Sequence, residues 1–327
     1  MPLTCWLSAR RAAHDRKGND PMDLIWNLIL STFDILPIYL IAAMGGYLSQ
    51  RVGVYDVSME GNMTLSALLG LLGFYLTGSP WLGLAFGFAG GMVFGLILGS
   101  LAVRWNLNQI VLGFGLWYVG MGLAGTLFKL YLPQNFTSTG FPSLAQVIGI
   151  SGPFEGIARL LDLNIIFYLS ILLVIVLNVL TYKTKLGVYM RAAGENPAAV
   201  DAAGINLFRL RFFAVLVGTG IVGVAGALLS VHFLQGFTQN MVAGRGWIAF
   251  AIVIFGRWRP VGITLGCLLF AGIFALQIRL QTMGVALPSE LMTALPYIAT
   301  LLMLTIIMSQ SRSFKMPSAL GLPYHRE

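Results

Sequence analysis

The sequence predicts an all-α polytopic membrane protein of about nine transmembrane helices, with eight and ten as bounds, and three observations carry that expectation. Of 327 residues, 57% are hydrophobic and only 10% are charged, at a mean hydropathy of +0.82, which leaves too little polar surface for a water-soluble domain. The apolar residues gather in runs close to the roughly 20 residues that cross a bilayer as a helix. The 39 glycines suit helices that associate in lipid by close backbone approach.

Eight runs approach or exceed the spanning length: 24–48, 59–77, 81–103, 108–128, 163–182, 212–232, 261–278 and 291–309. A ninth, Gly246 to Gly256, is short. It reaches across only if it begins inside the preceding loop, or if it is a broken helix lining a protein-enclosed cavity. Between the fifth and sixth runs, Lys183 to Arg211 is polar and patterned, with five basic residues against two acidic ones, Glu195 and Asp201. That balance places it on the cytoplasmic side. Asn196 and Pro197 start a short helix through Ala203, Gly204 stops it, and Glu195 sits close to the positive end of its dipole. A membrane protein that presents such a helix is expected to dock something there.

With that loop inside, alternation of the runs puts twelve basic residues on the cytoplasmic side, among them Arg51, Arg104, Arg257 and Arg259, against four outside. Arg10, Arg11, Arg16 and Lys17 would fall outside under a nine-span count, which conflicts with the rule. Residues 1–21 are therefore expected to be an N-terminal extension, disordered or upstream of a native start at Met22. The transmembrane domain is expected over 22–311, with 312–327 as a cytoplasmic tail. The longest external segment, Tyr131 to Asp162, is broken into turns by Gly140, Pro142, Gly149, Gly152 and Pro153. A landing surface, a lid and a plain connector all remain open for it.

Several classes drop out. The net charge of +8 follows from the inside bias and needs no nucleic acid. Cys5 and Cys267 form no disulfide framework or zinc site, and His14, His232 and His325 share no metal-ligand spacing. No GxxxxGK[ST] occurs, so phosphates of ATP have no P-loop here, and no catalytic constellation stands in a plausible site. Neither a cofactor nor enzymatic activity is expected of the chain itself.

Leu48 to Gly73 and Leu234 to Trp258 both pass from a polar, glycine-containing stretch into an apolar helix ending at glycine. In the expected topology they run in opposite directions, as two inverted-repeat halves would. Ionisable groups within apolar runs cost about 2.5 to 3.5 kcal/mol at the bilayer centre and usually face protein or water. Asp34, before Pro37, is a pathway or helix-contact candidate, or a group reaching the interface from a distorted helix. Asp56 and Glu60 are candidates for solute contact, or carboxylates favoured by the dipole at the start of their own helix. Arg104 closes the third run. Asn106, Asn108 and Gln109 are suited to helix contact or to a polar solute. Trp117, Tyr118, Phe233, Phe237, Trp247 and Phe250 can stack on a flat or sugar-like ligand, pack in the core, or form an interfacial belt. A carrier or channel driven by an ion gradient is the competing class.

The segments LSQRVGVYDVSMEGNMTLSALLG (48–70), Asn108 to Val111, RAAGENPAAVDAAGIN (191–206), AGRGWIAFAIVIFGRWRPVG (243–262) and FALQIRLQTMGVALPSELMTALPYIATLLML (274–304) together resemble permease subunits of bacterial ABC importers. The similarity is to the nucleoside and simple-sugar branch, which works with lipoproteins of the basic membrane protein type. It runs from about Met22 to Leu304; Asp56 stands where that family carries Asn, and residues 1–21 have no counterpart. The resemblance implies the ABC importer permease fold in a bacterial cytoplasmic (inner) membrane. It implies a second permease, identical or different, a cytoplasmic ATPase that binds ATP and Mg, and an extracellular solute-binding lipoprotein. It also implies that Gly194, Glu195, Asn196, Pro197, Asp201 and Gly204 form the element that couples to the ATPase, while Asp34, Glu60, Asn108, Gln109, Trp117 and Phe250 are the pathway candidates.

Overall fold

The computed structural model describes residues 21–133, 136–149, 162–282, 289–309 and 316–324. The expected extension at 1–21 lies almost wholly outside the described residues. In chain order the helices are α1 (Pro21–Arg51), α2 (Met59–Thr77), α3 (Pro80–Gly99, continuing as a π-helical turn Ser100–Arg104) and α4 (Gln109–Tyr131). Then come α5 (Leu144–Ile148), α6 (Ile165–Lys183), α7 (Lys185–Glu195), α8 (Pro197–Ala202) and α9 (Leu207–Leu228, continuing as a π-helical turn Leu229–Phe233). The last three are α10 (Arg245–Phe255), α11 (Pro260–Thr282) and α12 (Ser289–Ser309). Every apolar run of the sequence has become a helix, because a run without polar interruptions satisfies its backbone groups most simply within itself.

A count of nine spans is not confirmed. Among the described residues six helices are long and apolar enough to cross a membrane: Ile25–Arg51, Pro80–Arg104, Gln109–Tyr131, Ile165–Lys183, Leu207–Phe233 and Pro260–Thr282. Two shorter apolar helices, Arg245–Phe255 and Ala294–Met303, accompany them. α2 falls outside the six for a physical reason. Its first two turns carry Glu60, Asn62, Thr64 and Ser66, all buried, so it is built for a protein interior rather than for lipid.

α1 and α9 form the centre, each with 67% of its most apolar stretch buried, whereas α4 and α6 bury only 22% and stand at the periphery. α9 packs on α1, α2 and α3, and α11 packs on α1. Polar stitches accompany the packing: Asn62 Nδ2 donates to the carbonyl of Thr219 at 2.9 Å, and Ser66 Oγ to Asn62 Oδ1 at 3.1 Å. The α3–α9 crossing is close enough to need glycine. A Cβ on Gly223 would stand 2.9 Å from both Gly91 Cα and Ser66 Oγ. Gly223→Val is expected to destabilise the protein by about 1–3 kcal/mol through overpacking. A thermal midpoint in detergent equal to that of the native sequence would show that the crossing tolerates separation.

The segment expected outside is tied down among the described residues. Ser143 and Gln146 close a capping box on α5. The Ser138 N–H donates to the carbonyl of Gln235 at 3.1 Å and its hydroxyl to that of Val231, while the Phe141 N–H donates to His232 Nδ1 at 3.1 Å. The segment is thus fastened to the π-helical turn that ends α9.

Candidate functional site

The two halves of the internal echo meet. The backbone between α1 and α2 runs without regular structure from Val54 to Ser58, all but Tyr55 buried, so that α2 begins within the body of the protein, and α10 begins against it. Glu60 joins the two helix starts: Oε1 accepts the N–H of Gly244 at 2.8 Å and Oε2 that of Gly246 at 2.7 Å. The approach leaves no room for a side chain on Gly246, whose Cβ would stand 2.6 Å from Glu60 Cα. Two positive helix ends face each other here, and one carboxylate balances both. Glu60 therefore does more than favour its own helix; it caps another. Asp56 is fully buried and accepts from the Ser58 N–H at 3.1 Å and from its hydroxyl at 2.7 Å.

An aromatic group lies beside this junction. Trp247, one residue past Gly246, meets Trp117 edge-on at 5.2 Å, Phe114 at 5.6 Å and Phe250 at 6.5 Å. Trp117 stacks on Tyr118 at 4.7 Å, and the Phe250 ring meets Tyr55 edge-on at 5.2 Å. Gln109 secures Tyr55 from α4, its Oε1 accepting the Tyr55 N–H at 2.6 Å. Trp117, Trp247 and Phe250 are partly exposed, and the Trp117 indole N–H is buried without a hydrogen-bond partner among the described residues. Partly exposed rings of this kind can stack on a flat solute.

Of the pathway candidates, Glu60, Gln109, Trp117 and Phe250 come together in this way. Asn108 does not join them: its side chain accepts from the N–H groups of Ile110 and Val111 at 3.0 and 3.2 Å and caps α4. Asp34 is exposed on α1, within electrostatic reach of Asp162. Arg104 ends the π-helical turn after α3. Phe237 meets Phe128 at 5.0 Å, away from the Trp247 group.

The polar stretch is better ordered than a loop. α7 fills Lys185 to Glu195, started by Thr184, whose hydroxyl accepts the Gly187 N–H at 3.2 Å. α8 follows at once: Asn196 Oδ1 accepts the Ala199 N–H at 3.1 Å, Pro197 occupies the first turn, and Gly204 leaves with φ +77°. The helix ends at Ala202 rather than Ala203, and its start and stop residues are the expected ones. Glu195 pairs with Arg51 at 3.7 Å and is half exposed. Buried Arg211 ties the base together, its Nε donating to the carbonyl of Val52 at 2.9 Å and its Nη2 to that of Ala193 at 3.2 Å. Sequence reasoning missed a further participant: residues 316–324 lie against Gly53, Glu195 and Asp201. Pro317 and Gly321, turn residues four apart, were the signal available.

A bundle that crosses a membrane several times, buries a polar junction between helix starts and offers a short capped helix at one end has the architecture of a membrane transport subunit. The chain belongs to the family described as branched-chain amino acid transport system / permease component, which matches residues 28–308. It is 32% identical to the putative glucose ABC transporter permease protein of Haloferax volcanii, covering 94% of this chain and 99% of that one. It is 30% identical to the guanosine ABC transporter permease protein of Bacillus subtilis, over 87% of this chain and 92% of the relative. With the nucleoside ABC transporter permease protein of Lactococcus lactis the identity is 28%, over 87% and 92%. The protein is a multi-pass membrane permease subunit of an ABC importer. An ion-gradient carrier, the competing expectation, gives way to that membership.

Proposed function

We propose that this permease takes up nucleosides, ahead of simple sugars, delivered by an extracellular binding lipoprotein, and that a partner ATPase binding ATP and Mg drives it through the α7–α8 element on the cytoplasmic side. One observation carries the cargo: the partly exposed aromatic group of Trp117, Trp247 and Phe250 beside the Glu60 junction. Flat bases stack on such rings irrespective of their hydrogen-bonding edge, and two of the three relatives described above are named for guanosine or nucleosides. The absence of a P-loop motif supports assigning ATP to a partner, and a second permease, identical or different, completes the pore. The transmembrane domain over 22–311 is the unit that moves: closure of the ATPase pair shifts α7–α8 as a body and switches access to the pathway.

The test is uptake in proteoliposomes carrying the permeases, ATPase and binding protein, with radiolabelled nucleosides, pentoses and glucose in competition. Nucleosides are expected to win. Trp117→Ala is expected to weaken nucleoside transport by a factor of roughly 5 to 150, from the loss of about 1–3 kcal/mol of stacking, with Trp117→Phe close to native. Preference for glucose, or indifference to Trp117→Ala, overturns the cargo assignment.

A further inference from the structure

We propose that Met316 to Tyr324 is a strap that positions the docking element for transport, making α7–α8 and the backbone leading into α2 one moving body. This rests on the assignment of α7–α8 as the ATPase-docking element. Six hydrogen bonds to five residues support it. The Ala319 N–H donates to the carbonyl of Gly194 at 2.8 Å, and the Gly321 N–H to that of Gly53 at 3.0 Å. Ser318 donates to Glu195 Oε2 from its hydroxyl at 3.2 Å and its N–H at 3.3 Å. The Tyr324 hydroxyl donates to Asp201 Oδ2 at 3.2 Å, and its carbonyl accepts from Asn106 Nδ2 at 3.2 Å.

The placement of these bonds matters more than their number. Gly194, Glu195 and Asp201 belong to the expected coupling element, and the strap holds each of them. Gly53 begins the link that carries Tyr55 to the aromatic group and leads into α2, where Asp56 accepts from Ser58, the residue just before the helix, and Glu60 meets α10. A push on α7–α8 therefore has a hydrogen-bonded route, from Gly194 through Ala319, Leu320 and Gly321, to the link that leads into the pathway. The strap is anchored like a structural part: Pro317, Ala319 and Leu320 are buried, Leu320 within the main hydrophobic core, and Tyr324 packs on the small core of Ala193, Val200 and Leu207. Arg211 reinforces the same joint from the other side, bonded to both Val52 and Ala193.

Gly321 offers the cleanest test, because its φ of +79° is left-handed and space for a Cβ is open, the nearest atom being Tyr55 Cβ at 3.9 Å. Gly321→Val disfavours that backbone without a clash and lowers the ratio of strapped to released chains by a factor of roughly 5 to 30. Asn tolerates the left-handed region, so Gly321→Asn keeps the strap seated. Uptake and ATP hydrolysis are to be measured on the whole complex in proteoliposomes, for both variants and for Gly194→Asp. Gly321→Val is expected to keep hydrolysis while solute moved per ATP falls by that factor, and Gly321→Asn to restore the ratio. A loss common to Val and Asn, or a parallel fall in hydrolysis and uptake from lower assembly, overturns the positioning role. Native coupling in Gly321→Val beside a failed Gly194→Asp overturns the strap alone. Native coupling in both variants overturns the docking assignment with it.

Discussion

Gly194→Asp is expected to stop uptake while the chain still inserts in the membrane and the partner ATPase still turns over. Gly194 is buried where α7 ends, and a Cβ there would collide with the carbonyl of Arg51 and stand 3.5 Å from Pro317 Cβ. A side chain forces α7 away from α1, costing about 1–3 kcal/mol by overpacking, and brings a carboxylate toward a carbonyl oxygen. Expressed as a conformational equilibrium, that is a factor of roughly 5 to 150, applied to the joint that carries the stroke. Glu195→Lys tests the same joint by charge: it sets a cation beside Arg51, now 3.7 Å from the carboxylate, and removes the acceptor for Ser318. A pair with one half-exposed partner adds little stability, so its effect should fall on coupling rather than on folding. Uptake and hydrolysis in one proteoliposome preparation, with the membrane-inserted amount by immunoblot, decide the matter. Normal uptake by both variants would refute the docking role.

The second large effect is expected at Glu60. Removing its carboxylate in Glu60→Ala strands the N–H groups of Gly244 and Gly246, each at a cost of about 1–3 kcal/mol for a buried donor without a partner. It also leaves two helix starts facing each other with their positive ends uncompensated. The variant should unfold at a markedly lower temperature in detergent and lose transport. Glu60→Gln keeps one acceptor oxygen but presents an NH2 group to the second donor, and should fall between. A native-like melting temperature for Glu60→Ala would mean that the junction contributes nothing to holding α2 and α10 together.

Legibility followed distance along the chain. Asn196 and Pro197 announced α8 because a cap bonds three residues ahead, and that bond formed as expected at Ala199. The same local logic explains Asn108, whose partners are the next turn of its own helix; a solute role was weighed where an N-cap sufficed. α7 escaped notice because its buried residues, Gly187, Met190, Ala193 and Gly194, are small or isolated among charges, so a helical stripe reads as a polar connector. Glu60 was marked as unusual by its place in an apolar stretch, yet its partner Gly244 lies 184 residues away, and no local pattern names a partner at that range.

Composition and the spacing of apolar runs were enough to establish a helical membrane protein, the positions of its helices and the existence of an ordered polar element before Leu207, since each of these depends on contacts within a turn or two of chain. Which helices lie at the centre and what Glu60, Gly194 and residues 316–324 touch were decided only by the folded structure. The reason is physical: a buried polar group must find a partner wherever packing brings one, and packing joins segments that the order of the chain keeps far apart.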